Sequence, residues 1–286
     1  MSAFAIVLVL SAAVIHATWN YLAKRTYGGI PLVWLYGTIA TIAYSPFILI
    51  LFLTTSVPLG APQLLSMAVS SILQLAYFLL LTRGYQVGDL SLVYPLARGT
   101  GPMISTLLAV LLFGERPSVL AVFGALLIAG GIFVLTGDPR KLRQAGAGQG
   151  ILFALMTGVM IASYTLWDKA AVSVYLVPPL LLNWFSSIMH SLVLLPFARQ
   201  RWGAVLREWH DHRWQVLGIA VLSPLAYLLV LTALTFSRVS YVAPMRESSV
   251  LLGTLLGVRL LAEGDTRRRV LGASIIVVGV VAIGLG

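Results

Sequence analysis

Ten long apolar runs, each closed by charge, glycine or proline, divide the chain. They cover residues 3–23, 31–53, 63–82, 91–113, 117–136, 150–170, 178–198, 214–237, 241–261 and 268–286. A helix needs about 20 apolar residues to cross a bilayer, so the pattern predicts ten crossings. In lipid only helices and closed barrels satisfy every backbone polar group. Barrel strands are shorter and alternate apolar with polar residues, which these runs do not. The predicted fold is an all-α integral membrane protein with ten transmembrane helices.

Composition agrees. The chain is 59% hydrophobic and 10% charged, with a mean hydropathy of +0.95, whereas soluble domains carry about 25% charged residues. A water-soluble fold is excluded. The sequence has no cysteine, which removes disulfides, thiol nucleophiles and cysteine metal sites. Its net charge of +10 is not a sign of nucleic-acid binding, because the charges stand mostly at helix ends. Alternate loops differ sharply. The odd loops hold Lys24, Arg25, Arg83, Arg140, Lys141, Arg143, Arg199, Arg201, Arg207, Arg213, Arg267, Arg268 and Arg269. The even loops hold only Arg116, Lys169 and Arg238. The positive-inside rule then places the odd loops in the cytoplasm and both termini outside. Ala3 to Leu22 has no charged region before it and no cleavage site after it, and reads as a retained helix rather than a signal peptide. In the loop after segment seven, Trp202, Val205, Leu206 and Trp209 recur at helical spacing, either as an amphipathic surface helix or as a plain connection.

The chain repeats itself. Ser91-Leu-Val-Tyr-Pro95 matches Ser240-Tyr-Val-Ala-Pro244 at an offset of 149. Glu115, Gly124, Ile128 and Gly131 match Glu263, Gly272, Ile276 and Gly279 at 148. Ala17 to Lys24 parallels Ala162 to Lys169 more loosely. We divide the chain into a first five-helix repeat over 1–137, a cytoplasmic linker over 138–149 and a second repeat over 150–286. Five is odd, so the second copy enters the membrane upside down. Inverted repeats are a transporter architecture, with a site near the midplane between the halves. Gly124 and Gly131, and again Gly272 and Gly279, give segments five and ten one small face each, predicting close packing between them.

His16-Ala-Thr-Trp-Asn20 with Lys24, Tyr94-Pro-Leu-Ala-Arg-Gly-Thr-Gly-Pro102 and Gly114-Glu-Arg116 resemble the EamA branch of the drug/metabolite transporter (DMT) superfamily. The resemblance spans nearly the whole chain. The second half departs from it, with Ala262-Glu-Gly-Asp265 in place of Gly-Glu-Arg and Met245-Arg-Glu247 in place of Leu-Ala-Arg. The resemblance implies solute movement across a bacterial-type inner membrane, often efflux of amino acids, related metabolites or drugs. It also implies a central cavity lined by helices one, three, four, six, eight and nine, with five and ten apart.

Candidate site residues lie in those segments. Pro95 and Pro244 occupy matching places and either interrupt their helices or start them. Arg98, Arg246 and Glu247 lie inside apolar runs, where an ionisable residue costs roughly 2.5 to 3.5 kcal/mol on insertion scales. Such a residue faces a partner, a wet cavity or, by snorkelling, the interface. Two arginines and one glutamate leave one positive charge, which suits a carboxylate or phosphate. His16, Trp19 and Asn20 share one helical face. Gln74 with Tyr77 and Tyr227 with Ser223 share others, and Tyr94, Tyr164 and Trp167 add aromatic walls that suit a small amphiphile or a cation. Trp34, Trp184 and Tyr175 are assigned to interface anchoring. His16 either carries a proton or packs between helices. Asp168-Lys169 and Lys24-Arg25 are read as helix-end charges. His210-Asp-His212 makes a poor metal site, and no metal or other cofactor is expected.

These observations predict a secondary transporter for an organic anion or a zwitterion such as an amino acid, working by alternating access, and the family resemblance implies export. Partners are the solute, the bilayer and a coupled proton or exchanged solute, with the chain a monomer or homodimer. A lipid-head-group or carrier-lipid flippase and a cationic drug exporter are the alternatives. No Gly-x-x-x-x-Gly-Lys-Ser/Thr motif is present for ATP hydrolysis. An intramembrane enzyme would need a nucleophile with a base or a metal set at membrane depth, and none is legible.

Overall fold

The computed structural model describes residues 1–57, 59–88, 90–136, 147–252 and 266–286. Among these residues there are ten helices and no strand: α1 (Ala3–Ala23), α2 (Gly29–Thr54), α3 (Ala61–Val87), α4 (Leu90–Phe113), α5 (Val119–Thr136), α6 (Ala147–Ser173), α7 (Pro179–Gln200), α8 (Trp202–Phe236), α9 (Val239–Arg246) and α10 (Thr266–Leu285). Seven are long and apolar enough to cross a bilayer, and the apolar parts of α5 and α10, Val119–Val134 and Leu271–Leu285, are shorter. Residues 138–146 of the expected linker, and 253–265 with Glu263, lie outside the described residues.

Two elements differ from the hydropathy pattern. Segment eight begins at Trp202 rather than 214, because the amphipathic stretch is helical and runs into the crossing with a bend at His212 (φ −130°, ψ 24°). Val205 and Glu208 of that stretch face inward while Trp202, Leu206 and Trp209 stay exposed. The loop after α1 holds it down, since Tyr27 donates from its hydroxyl to Asp211 at 3.0 Å and its ring lies edge-on to His212 at 4.6 Å. Hydrogen bonds from His210 and Tyr27 keep the Asp211 carboxyl below the usual carboxylate range. The second difference is in segment nine, expected unbroken over 241–261. Helix α9 stops after Arg246, Glu247 forms a turn, and helix resumes over 248–252. Pro244 lacks an amide donor, which weakens the turn before it; the break itself comes where the Glu247 amide bonds to Pro244 O at 3.0 Å, three residues back, instead of continuing the four-residue ladder.

Helix neighbours repeat across the halves. α1 packs on α8 as α3 packs on α6, and α2 meets α7, α4 meets α9 and α5 meets α10. Each contact maps onto another, or onto itself, when the halves are exchanged. That is the signature of an inverted two-repeat architecture.

The α5–α10 contact depends on absent side chains. A Cβ on Gly124 would stand 2.6 Å from Gly279 O, and one on Gly279 would stand 2.7 Å from Gly124 O. A Cβ on Gly131 would meet Ile276 at 2.6 Å and Gly272 O at 3.0 Å. The obstacle is backbone, so a larger residue must separate the helices. Between α4 and α5, Glu115 reaches across to the second half. Its carboxylate accepts from the amides of Val239 and Ser240 at 2.8 and 2.9 Å and from the Ser240 hydroxyl at 2.6 Å. It thereby caps the amino end of α9, where free amides and the helix dipole favour an anion.

Gly124→Leu should lower stability by roughly 1–3 kcal/mol, the usual cost of overpacking, read as a lower thermal midpoint in detergent. Gly130→Ala, where nothing lies within 4 Å of an added Cβ, should leave the midpoint unchanged. Equal effects at the two positions would contradict the packing account.

Candidate functional site

Arg98 and Glu247 occupy equivalent positions in the two repeats, 149 residues apart. They touch, with Arg98 Nη1 3.5 Å from Glu247 Oε2. Equivalent residues of an inverted repeat meet only at its pseudo-twofold axis, which lies in the membrane plane. The pair therefore marks a point on that axis. The position equivalent to Arg246 is Ala97, so the second half adds a further charge there. Arg246 donates from Nε and Nη2 to Glu247 Oε1, both at 3.4 Å. Glu247 is fully buried, Arg246 is 7% exposed and the Arg98 side chain 13%. Buried charges are tolerable only when paired.

Aromatic rings enclose this group. The Arg98 guanidinium carbon lies 5.9 Å from the Tyr94 ring centre, and that of Arg246 lies 5.9 Å from the Tyr164 ring, within reach of cation–π attraction. Tyr164 sits edge-on to Tyr77 at 5.6 Å and to Tyr227 at 6.4 Å. Helices α3, α4, α6, α8 and α9 thus supply one connected polar-aromatic core.

Other predicted residues are placed differently. His16 lies within the electrostatic influence of Arg98 and Arg246, and its ring meets Trp19 edge-on at 4.9 Å. The Trp19 indole nitrogen is buried without a hydrogen-bond partner. The Asn20 amide turns back onto His16 O at 2.8 Å, occupied by its own helix. Trp167 donates to Ser66 O at 2.9 Å, which ties α6 to α3. Pro95 and Pro244 are each the sixth residue of their helices, past the first turn, so they do not start them. The break follows only Pro244; α4 continues through Pro95. Trp34 stacks edge-on with Trp202 at 5.7 Å. Trp184, assigned to the interface, instead joins α7 to α2, donating to Thr41 O at 3.0 Å and Ser45 Oγ at 3.2 Å.

Asp168 is not the helix-end charge that the pattern suggests. Helix α6 continues five residues past it to Ser173, and the carboxylate is fully buried. Ser70 and Tyr227 donate their hydroxyls to it, and Gln74 Nε2 donates at 3.2 Å. Gln74, Tyr227 and Asp168 therefore form one network beside Tyr164. The signal available in the sequence was the four-residue step from Tyr164 to Asp168, which puts both on one helical face. Lys169 points elsewhere. Its ammonium donates to Leu234 O at 2.7 Å and Ser237 O at 3.1 Å, closing the carboxyl end of α8, where a cation is favoured. Its counterpart in the first repeat, Lys24, is exposed.

Arg98→Glu should destabilise the protein by about 3–5 kcal/mol, the scale for a buried pair robbed of its partner. Exchanging both residues, Arg98→Glu with Glu247→Arg, should recover part of that loss in thermal unfolding. Additive losses in the double variant would mean that the two side chains do not interact.

The profile of the EamA-like transporter family matches residues 3–137 and 148–285. No curated protein matches the chain. One solved crystal structure of a protein superposes with a TM-score of 0.76 at 17% sequence identity, covering 98% of this chain and 98% of its own. At that identity the likeness is one of fold.

Proposed function

We propose that this chain, which belongs to the EamA-like transporter family, is a secondary transporter for a small organic anion or a zwitterion such as an amino acid. The observation that carries the reading is the Arg98–Glu247–Arg246 group, buried between the repeats with two positive charges against one negative. A carboxylate entering there supplies the missing negative charge and meets two guanidinium groups built to donate paired hydrogen bonds. Tyr94, Tyr77, Tyr164 and Tyr227 offer walls for the apolar part of such a solute. We assign His16, Trp19, Asn20, Gln74 and Trp167 to the outer lining of the same path.

Movement is by alternating access of the two repeats, 1–137 and 150–286, about the linker 138–149. The unlike ends of the molecule support this. One end is tied by Glu115 on α9, by Lys169 on α8 and by Arg238 donating to Arg116 O at 2.7 Å. At the other end, Lys24 is exposed where Lys169 is engaged, and the ties are different ones, from Tyr27 to Asp211 at 3.0 Å and from Arg268 to Val134 O at 2.6 Å. A two-repeat carrier shows such inequality in any single conformation, because the halves exchange roles between states. The resemblance supports export across an inner membrane, and the distribution of Lys and Arg supports both termini outside.

Ligands of the folded state raise its melting temperature. Amino acids, organic anions, phosphorylated amphiphiles and lipophilic cations should therefore be screened by thermal shift on wild type, Arg98→Ala and Arg246→Lys. We expect anionic or zwitterionic compounds to stabilise wild type by several degrees and both variants by much less. Stabilisation by lipophilic cations alone, equal in all three proteins, would replace this reading with an aromatic drug site. Stabilisation by phosphorylated amphiphiles alone would point to a flippase.

A further inference from the structure

We propose that Asp168 is a proton-binding site whose occupancy sets the net charge of the central group, so that a proton and an organic anion bind cooperatively. The inference rests on the anion-binding reading above and adds the ion that couples to it.

Four carboxylates are buried among the described residues, Glu115, Asp168, Glu208 and Glu247, of which Glu208 lies in the amphipathic stretch before the bend of α8, 3.3 Å from His212. Glu247 is held by two guanidinium groups, which only donate hydrogen bonds and carry fixed positive charge. Each oxygen of Glu115 accepts from a backbone amide at a helix end, which only donates, and one of them also accepts from the Ser240 hydroxyl. Protonating Glu247 would set a donor against donors, and protonating either oxygen of Glu115 would set an O–H against a backbone amide that cannot turn. Asp168 differs. Two of its three partners, Ser70 and Tyr227, are hydroxyls, and a hydroxyl can accept as well as donate. When the carboxylate takes a proton, the new O–H can donate to the Tyr227 oxygen while that hydroxyl turns away. Both protonation states are thus accommodated without moving a heavy atom. The step forms one O–H bond on a carboxylate oxygen and breaks one O–H bond of a hydronium ion, which leaves as water.

Charge links this site to the substrate group. Arg98, Arg246 and Glu247 sum to one positive charge, and an ionised Asp168 cancels it. Two tyrosines join Asp168 to this group: Tyr227 bonds to Asp168, and its ring meets that of Tyr164, over which the Arg246 guanidinium lies. Protonation therefore restores the positive charge that attracts a carboxylate, and a bound carboxylate favours protonation by the same free energy. Around Asp168 the further titratable groups are Tyr164 on its own helix, Tyr77 on α3 and Tyr227 on α8. His16 on α1 lies near both arginines, and His190 on α7 is bonded to Ser71 O at 3.0 Å. None of these carries a second negative charge near neutral pH. A monoanion moved with one proton makes turnover electroneutral, so the substrate and pH gradients together set its direction.

Infrared difference spectra of the purified protein, titrated with acid in the absence of any solute, test this directly. Wild type should show a protonated-carboxyl band that is lost in Asp168→Asn and altered in Asp168→Glu. Substituting charge for ligand tests the coupling. Arg246→Gln, which mimics a bound anion by removing one positive charge, should move the midpoint of that band up by about one pH unit. Glu247→Gln should move it down by a similar amount, the order expected of one interior charge. A spectrum unchanged by Asp168→Asn, or a midpoint unmoved by both charge variants, would overturn the proposal. Failure of the anion-binding reading shows differently, as no thermal shift with anions while the Asp168 band persists.

Discussion

The contact between Arg98 and Glu247 is the constraint around which the rest is arranged. An inverted repeat brings equivalent residues together only along one axis, and a charge placed there must find its counter-charge there too. A strictly symmetric pair would be two like charges or two neutral groups. The chain departs from symmetry by placing arginine in α4 and glutamate in α9, and then adds Arg246 where the first half has Ala97. This departure fixes α4 against α9 and leaves a positive charge facing a ring of tyrosines. The break after Pro244 lets Arg246 and the adjacent Glu247 pair, with Arg246 donating to Glu247 Oε1 at 3.4 Å.

The periphery serves the same arrangement. Helices α5 and α10 approach so closely at Gly124 and Gly279 that their backbones meet, and from the connection that precedes α5 Glu115 reaches to cap α9. The cap sets where α9 starts, and hence how far Arg246 and Glu247 stand from the membrane surface. Lys169 and Arg238 complete the tie at that end through backbone carbonyls rather than carboxylates. Contacts of this kind break and reform with modest free energy, because water can replace either partner. That suits an end that opens during transport.

Much of this was legible in the sequence, and what was not had definite causes. Hydropathy finds the helices because lipid forces each crossing to be apolar along its length. It misjudges their ends, because a helix continues into water where its backbone remains satisfied. That is why Asp168 passed for a terminal charge: Lys169 follows it, and α6 nevertheless runs to Ser173. The repeat offset identified Arg98 with Glu247, but only geometry shows that they touch. Asn20 and Trp167 share faces with site residues yet bond to backbone, a choice that spacing alone does not decide. Trp184 passed for an interface residue because tryptophan is common there, while its indole nitrogen in fact holds α7 to α2.

In the proposed mechanism one charged group on the pseudo-twofold axis serves both sides of the membrane. The chain has no cysteine, so a single Tyr94→Cys variant in oriented proteoliposomes reports that position alone. A membrane-impermeant, negatively charged methanethiosulfonate should modify it when added from either side, and faster than its positively charged counterpart. Modification from one side only, under all conditions, would contradict a shared central site.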